Sequence, residues 1–362
     1  MQQAGRVDSI DHLRGILAVT IMVYHYFTWS FPGWISPDGL LSVLGYYGVS
    51  AFFIISGVSL AIAYRGRLST HAEISRFYLK RFFRIAPLYW LAISATISVA
   101  LLNDQFRGIP APFTWKDVLA NYTLTFSLGH SKALTTGGWS IGNEVFFYIG
   151  FPFLYWLVCR SAHWAIVAVG GSAVLLGIWA FYVVPASTND SEAWGFYISN
   201  WNQLFFFLAG LVIGRYVRPA LISRKACYMA LAFALALLTM ANVGTHAELV
   251  EGWHRIYLSL ATLLLVFSVY QINWESSSLF GRALAFLGLI SYSLYLLHPL
   301  VRSAVMIVGN RIGFGPLTVT IISIALTVGV SWLSYKIIET PGIRLAKVIE
   351  LRSLKRRITA AA

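Results

Sequence analysis

The chain has 362 residues, 58% hydrophobic and only 11% charged, with a formal net charge of +13. Soluble domains carry about 25% charged residues, so this composition excludes an ordinary soluble protein and points to helices in lipid. The positive charge does not imply nucleic acid, because the basic residues fall on one side of a membrane pattern.

Apolar runs of about 20 residues, each long enough to cross about 30 Å of hydrocarbon, recur along the whole chain. They predict an all-α fold, a polytopic transmembrane helix bundle of about ten spans with both termini cytoplasmic. The spans are 10–31, 39–63, 85–103, 139–159, 163–184, 195–216, 225–244, 253–272, 284–308 and 315–338. With the N-terminus inside, most of the Lys and Arg residues fall on the cytoplasmic side, in 65–84, 215–225 and 336–357 among others. The external connections carry Asp190, Glu192, Glu248 and Glu251. One integral membrane domain is expected over 1–362, with 338–362 a basic tail on anionic lipid headgroups and no appended soluble domain. No cleavable signal pattern follows the first run. No Cys/His cluster has metal-ligand spacing, so no metal and no bound cofactor is expected. No span shows a clear small-xxx-small seam, and a monomer is the expectation.

In chain order, the first span carries Arg14 and His25. Eleven residues make about three helical turns, so the two side chains share a face, separated by roughly 16 Å along the axis. A charge and a titratable ring inside a span are costly and suggest a site within the membrane. The ordinary alternative is a snorkelling Arg14 and a His25 bonded to a neighbouring helix. The connection 65–84 ends in Arg81-Phe-Phe-Arg84, with two guanidinium groups on one helical face, an arrangement suited to phosphate. The segment 110–138 is amphipathic over Trp115–Leu128 and is expected to form a short helix on or dipping into the membrane.

The fourth span opens Trp139-Ser140-Ile-Gly-Asn-Glu144, reaching Tyr148 one turn later. Running from outside to inside, it would put Glu144 roughly 7–8 Å below the outer surface, at a depth like that of His25. A carboxylate there needs a partner. The ninth span carries Ser291-Tyr-Ser-Leu-Tyr295 with His298 before Pro299, and Glu339-Thr-Pro341 ends the last one.

Together these elements resemble the acyltransferase-3 family of integral membrane acyltransferases. Asp11-His-Leu-Arg14-Gly15 through His25 is similar to the family's opening element, and Phe52-Phe-Ile-Ile-Ser56-Gly57 to its second-helix signature. Arg81-x-x-Arg84, then Trp139-Ser140 with Glu144 and Phe147-Tyr148, are similar to its central elements. Ser291–Tyr295 with His298, and Glu339-Thr-Pro341, resemble its closing ones. Where many members have a second acid, this chain has Val145. Many members also append an extracytoplasmic hydrolase-like domain; here the chain stops about 25 residues after its last span, so such a domain would be a separate partner.

The resemblance implies transfer of an acyl group, usually acetyl, from cytoplasmic acyl-CoA as co-substrate to a hydroxyl of a glycan or lipid-linked saccharide, in the bacterial inner membrane. His25 and Glu144, at similar depth, are the catalytic candidates, with Glu144 orienting or charging the His25 ring. His25 would act as general base or be transiently acylated. Arg14, Arg81, Arg84, Asp11, Trp139, Ser140, Tyr148 and His298 become candidates for binding acyl-CoA or acceptor. The partners would be acyl-CoA, the acceptor and membrane lipids, without nucleic acid. The competing reading is a proton-coupled transporter or flippase, in which the same His, Glu and Arg residues relay protons.

Overall fold

The computed structural model describes residues 7–129, 131–187, 189–274 and 277–361. Among the described residues it is all helical. The helices are α1 (Asp8–Ser30), α2 (Leu40–Ala63), α3 (His71–Arg107), α4 (Trp115–Tyr122), α5 (Gly138–Arg160), α6 (Ala162–Ile178) and α7 (Asp190–Tyr197). Then follow α8 (Asn200–Tyr216), α9 (Arg224–Thr239), α10 (Gly252–Ile272), α11 (Leu279–Leu289), α12 (Ser291–Ile312), α13 (Pro316–Ser334) and α14 (Thr340–Ala361). By length and composition, eight helical stretches among the described residues are fit to cross a membrane. All ten predicted spans fall on helices. Those outside the eight are α1, which carries Asp8, Asp11 and Arg14, and α9, which has only 16 residues.

Several boundaries differ from the sequence reading: the predicted span 195–216 is interrupted at Ile198–Ser199 between α7 and α8, and α9 ends at Thr239 rather than 244. The expected connection 65–84 is mostly helix, because α3 already starts at His71. The signal is Thr70-x-x-Glu73, a capping box in which the Glu73 carboxylate accepts from the backbone N–H groups of Ser69 and Thr70 at 2.9 and 3.1 Å. Arg81 and Arg84 therefore share one continuous helix with the span that follows. The predicted span 284–308 is broken at Ile290 into α11 and α12, with the Ser291 hydroxyl donating to Gly288 O at 2.9 Å. Helix α13 does not stop at Glu339. A wide π-helical turn over Tyr335–Glu339 carries it into α14, and Pro341, in the first turn of α14, interrupts nothing.

The chain forms two compact units, one of residues 1–65 and 153–295, the other of residues 66–152 and 296–362. In the first, α2 crosses α8 at backbone contact. A Cβ on Gly57 would lie 2.3 Å from Phe207 O, on Gly210 2.1 Å from Ile54 O, and on Gly214 2.6 Å from Val58 O. The run Gly210-x-x-x-Gly214 is thus a small-xxx-small seam that the sequence reading passed over, and it is spent on packing within the chain. Helix α1 meets α11 in the same way: a Cβ on Gly288 would lie 2.0 Å from Asp11 O.

In the second unit, α4 does not rest at the far end of α3 but folds back along it. The Tyr89 hydroxyl donates to Asn121 Oδ1 at 2.6 Å, Trp90 Nε1 donates to Tyr122 O at 2.9 Å, and Ser94 Oγ bonds the Tyr122 hydroxyl at 2.6 Å. Ser94 precedes the end of α3 by thirteen residues, so the end of α4 lies roughly 20 Å back along that helix. The segment after α4 continues the descent. The Ser127 hydroxyl donates to Gly142 O at 2.8 Å, and the Phe126 ring stacks on Tyr89 at 5.7 Å.

Candidate active site

The sequence-predicted residues divide between the two units. In the first, α1 holds Asp11, Arg14 and His25. Arg14 Nη2 donates to the Ser59 hydroxyl on α2 at 2.9 Å, and Nη1 lies 3.5 Å from Asp11 Oδ1. Asp11 is thus a partner of Arg14 and is placed to orient it. The close Gly15–Gly288 approach beside it fixes the rotation of α1. Toward the other end of α1 the His25 ring stacks on Trp29, centroids 5.0 Å apart and planes 7° from parallel. That stack holds the imidazole in one plane. Ser59 and Trp29 were not singled out from the sequence. Ser59 had no local signal, whereas Trp29 sits four residues after His25, the spacing at which helical neighbours touch.

In the second unit, α3 and α5 bring Arg81, Glu144 and Tyr148 together. The Tyr148 hydroxyl hydrogen-bonds the Glu144 carboxylate one turn earlier, and the Arg81 guanidinium sits over the Tyr148 ring, 5.5 Å from its centroid. Arg84 lies one turn beyond Arg81 on α3. Buried Phe77 and Phe151, with ring centroids 4.9 Å apart, and a 2.8 Å bond from the Tyr78 hydroxyl to Ile149 O, clamp the two helices at this level.

Glu144 therefore keeps company with the arginines. The depth expected from the sequence assumed that α5 starts at the outer surface. It starts instead beside the middle of α3, where a Cβ on Gly138 would lie 3.4 Å from the Tyr89 hydroxyl oxygen. Trp139 and Ser140 form the first turn of α5, where the Ser140 hydroxyl donates to Gly137 O at 2.8 Å, so this serine works as a local brace. His298 is fully buried in α12, and Glu339 is buried in the wide turn after α13. Asn143, buried beside Glu144, is a further polar residue of α5 that sequence reading did not select.

The acyltransferase domain model of the acyltransferase-3 family matches residues 7–336, nine-tenths of the chain. The chain belongs to the acyltransferase-3 family. The match contains every candidate named above except Glu339. A protein of Staphylococcus aureus strain COL is 26% identical over 367 residues, covering 92% of this chain and 57% of its own length. The peptidoglycan O-acetyltransferase OatA of Listeria monocytogenes is 21% identical over 364 residues, covering 92% of this chain and 55% of its own. The O-acetyltransferase OatA of Staphylococcus aureus strain NCTC 8325 is 24% identical over 368 residues, covering 92% and 57%. The chain thus spans a little over half the length of these relatives. No solved structure matches it. The chain thus carries an acyltransferase domain of this family, and eight helical stretches among its described residues are long and apolar enough to cross a membrane.

Proposed function

We propose that the chain is an O-acetyltransferase of the bacterial inner membrane. It takes acetyl from cytoplasmic acetyl-CoA and delivers it to a hydroxyl of a glycan or lipid-linked saccharide on the other side. The observation that carries this reading is the family match over 7–336, across which relatives named for O-acetyl transfer align. In this reading ten helices span the membrane, both termini are cytoplasmic and the whole chain is one catalytic domain.

Arg81 and Arg84 hold the phosphates of CoA, since guanidinium forks match phosphate oxygens. Glu144 works through Tyr148: the carboxylate fixes the phenol and the phenol ring carries Arg81. Glu144 is then a positioning residue. His25 is the general base. As the acceptor oxygen attacks the thioester carbonyl, imidazole nitrogen takes the hydroxyl proton, the C–S bond breaks, and the departing thiolate receives the proton. In the two-step variant the imidazole itself attacks, CoA leaves, and the acyl-imidazole passes acetyl to the acceptor. Arg14, held by Asp11 and Ser59, stabilises negative charge at the donor end.

The test uses purified protein in nanodiscs with acetyl-labelled acetyl-CoA, for wild type and His25→Ala. Label retained on wild type alone supports the acyl-enzyme. Acceptor-dependent CoA release that needs His25 supports direct transfer. Full transfer by His25→Ala removes His25 from the chemistry. No binding or turnover of acetyl-CoA by wild type sinks the acetyl-transfer reading.

A further inference from the structure

Beside α4 lies a groove of about 540 Å³ lined by Phe113, Thr114, Lys116, Asp117, Ser131 and Lys132 among others. The Asp117 carboxylate is bonded locally: Oδ2 accepts from Thr114 N at 2.9 Å and Thr114 Oγ1 at 2.8 Å, and Oδ1 accepts from Lys132 N at 3.0 Å. Asp117 keeps its charge, which acts on the nearby Lys132 ammonium. Among the described residues, neither Lys116 nor Lys132 makes an ion pair or side-chain hydrogen bond. With Lys116 and Lys132 against the single Asp117 carboxylate, the groove is cationic by one charge.

It is also rigidly built. Asn121 Nδ2 donates to both Asp117 O and Lys132 O at 2.8 Å, its Oδ1 accepts from Leu134 N at 3.2 Å, and the same Oδ1 takes the Tyr89 hydroxyl. Four backbone or side-chain groups from three segments thus meet on one buried amide. Lys132 is fixed at its backbone against α4, and α4 is fixed to the flank of α3.

The volume and lining name the occupant. A phosphate alone would fill a small part of 540 Å³, which lies within the roughly 300–1,000 Å³ of small-molecule pockets. Phe113 offers a ring for a sugar face, and Thr114 and Ser131 offer hydroxyls. On α4 itself Trp115 and Leu119, one turn apart, are 69% and 55% exposed and form an apolar flank suited to lipid. We propose that the Lys116–Lys132 groove binds the sugar-phosphate end of a lipid-linked saccharide, presenting the acceptor to α5. This deepens the acetyl-transfer reading and rests on it for the role of acceptor. The Ser127–Gly142 bond ties the segment that follows α4 to α5, two residues before Glu144.

The test measures binding separately from transfer. The full chain is placed in nanodiscs of zwitterionic phosphatidylcholine, with farnesyl-diphosphoryl N-acetylglucosamine as probe and the same farnesyl sugar without phosphate as its control. Wild type should bind the phosphorylated probe about tenfold or more tightly than the control, the equivalent of one charge-assisted contact. Lys116→Gln/Lys132→Gln should lose that preference while keeping acetyl-CoA affinity. Lys116→Arg/Lys132→Arg should keep it, which separates lost charge from lost fold.

An unchanged preference in the Gln pair overturns the groove. Equal displacement of the probe by phosphatidylglycerol at bilayer abundance assigns the groove to bulk lipid headgroups and overturns the saccharide. Lysine-dependent binding without any acetyl transfer by wild type would leave the groove standing and remove the acetyl-transfer reading. Transfer in the Gln pair with an unchanged KM for the phosphorylated probe would do the reverse.

Discussion

Arg255, in the first turn of α10, is fully buried. Its guanidinium carbon lies 5.3, 5.0 and 5.1 Å from the ring centres of Tyr47, Tyr197 and Phe206, and Nη2 reaches Asn202 Oδ1 at 3.3 Å. Three ring faces from α2, α7 and α8 thus stabilise one buried cation. Arg255→Lys, which cannot stack a planar fork, should cost about 2 kcal/mol and lower the Tm in detergent; an unshifted Tm would refute the aromatic cage. At Tyr148 the two roles of the side chain separate. Tyr148→Phe keeps the ring under Arg81 but loses the bond to Glu144, and should weaken acetyl-CoA affinity about tenfold with less change in turnover. Tyr148→Leu should weaken that affinity further. An unchanged affinity in Tyr148→Phe would break the link from Glu144 to Arg81. In the sequence Arg81, Glu144 and Tyr148 were all legible as candidates. Their contact was not, because it joins helices whose registers depend on where each one starts.

At the scale of elements, α2 and α8 touch through Gly57, Gly210 and Gly214, where any side chain would run into backbone. Gly210→Leu should cost several kcal/mol, since it forces two packed helices apart, and should show as loss of folded protein from the membrane. Normal accumulation with an unchanged Tm would refute the close crossing. The turn between α9 and α10 makes a different prediction. The Glu248 carboxylate accepts from Gly244 N at 3.2 Å and from Thr245 Oγ1 at 3.0 Å, and these bonds hold its pKa below the ordinary carboxylate range. A depressed folded pKa stabilises the turn above the unfolded value, about 4.3, and that stabilisation is lost as pH falls through the folded value. Exchange protection of the Gly244 amide should therefore fall as the pH is taken below about 4. Glu248→Gln should abolish that pH dependence; retention of it would place the titration elsewhere. The caps at Thr70–Glu73 and Thr114–Asp117 were readable in the sequence as Ser/Thr-x-x-acid signals, yet hydropathy alone put the start of α3 fourteen residues late.

At the scale of the whole molecule, the proposed topology puts 64–70 inside and 184–189 outside. In a variant whose Cys159 and Cys227 are replaced by Ser, Arg67→Cys should resist a membrane-impermeant thiol reagent in intact cells and Ala186→Cys should react. The opposite pattern would invert the topology. An apolar, helical chain, the family elements and most of the candidate residues were legible without coordinates. These follow from composition and from patterns a few residues long, which act through local helix geometry and transfer into lipid. Only the tertiary structure decided that α5 begins beside Tyr89, that Glu144 joins Arg81 through Tyr148, that Asp11 and Ser59 hold Arg14, and that Lys116 and Lys132 frame one groove. Each of these depends on a contact between distant segments, such as Asn121 on Tyr89 or Gly288 on Asp11. Hydropathy sets how much chain lies in lipid, but side-chain bonds and backbone approach set how far each segment descends.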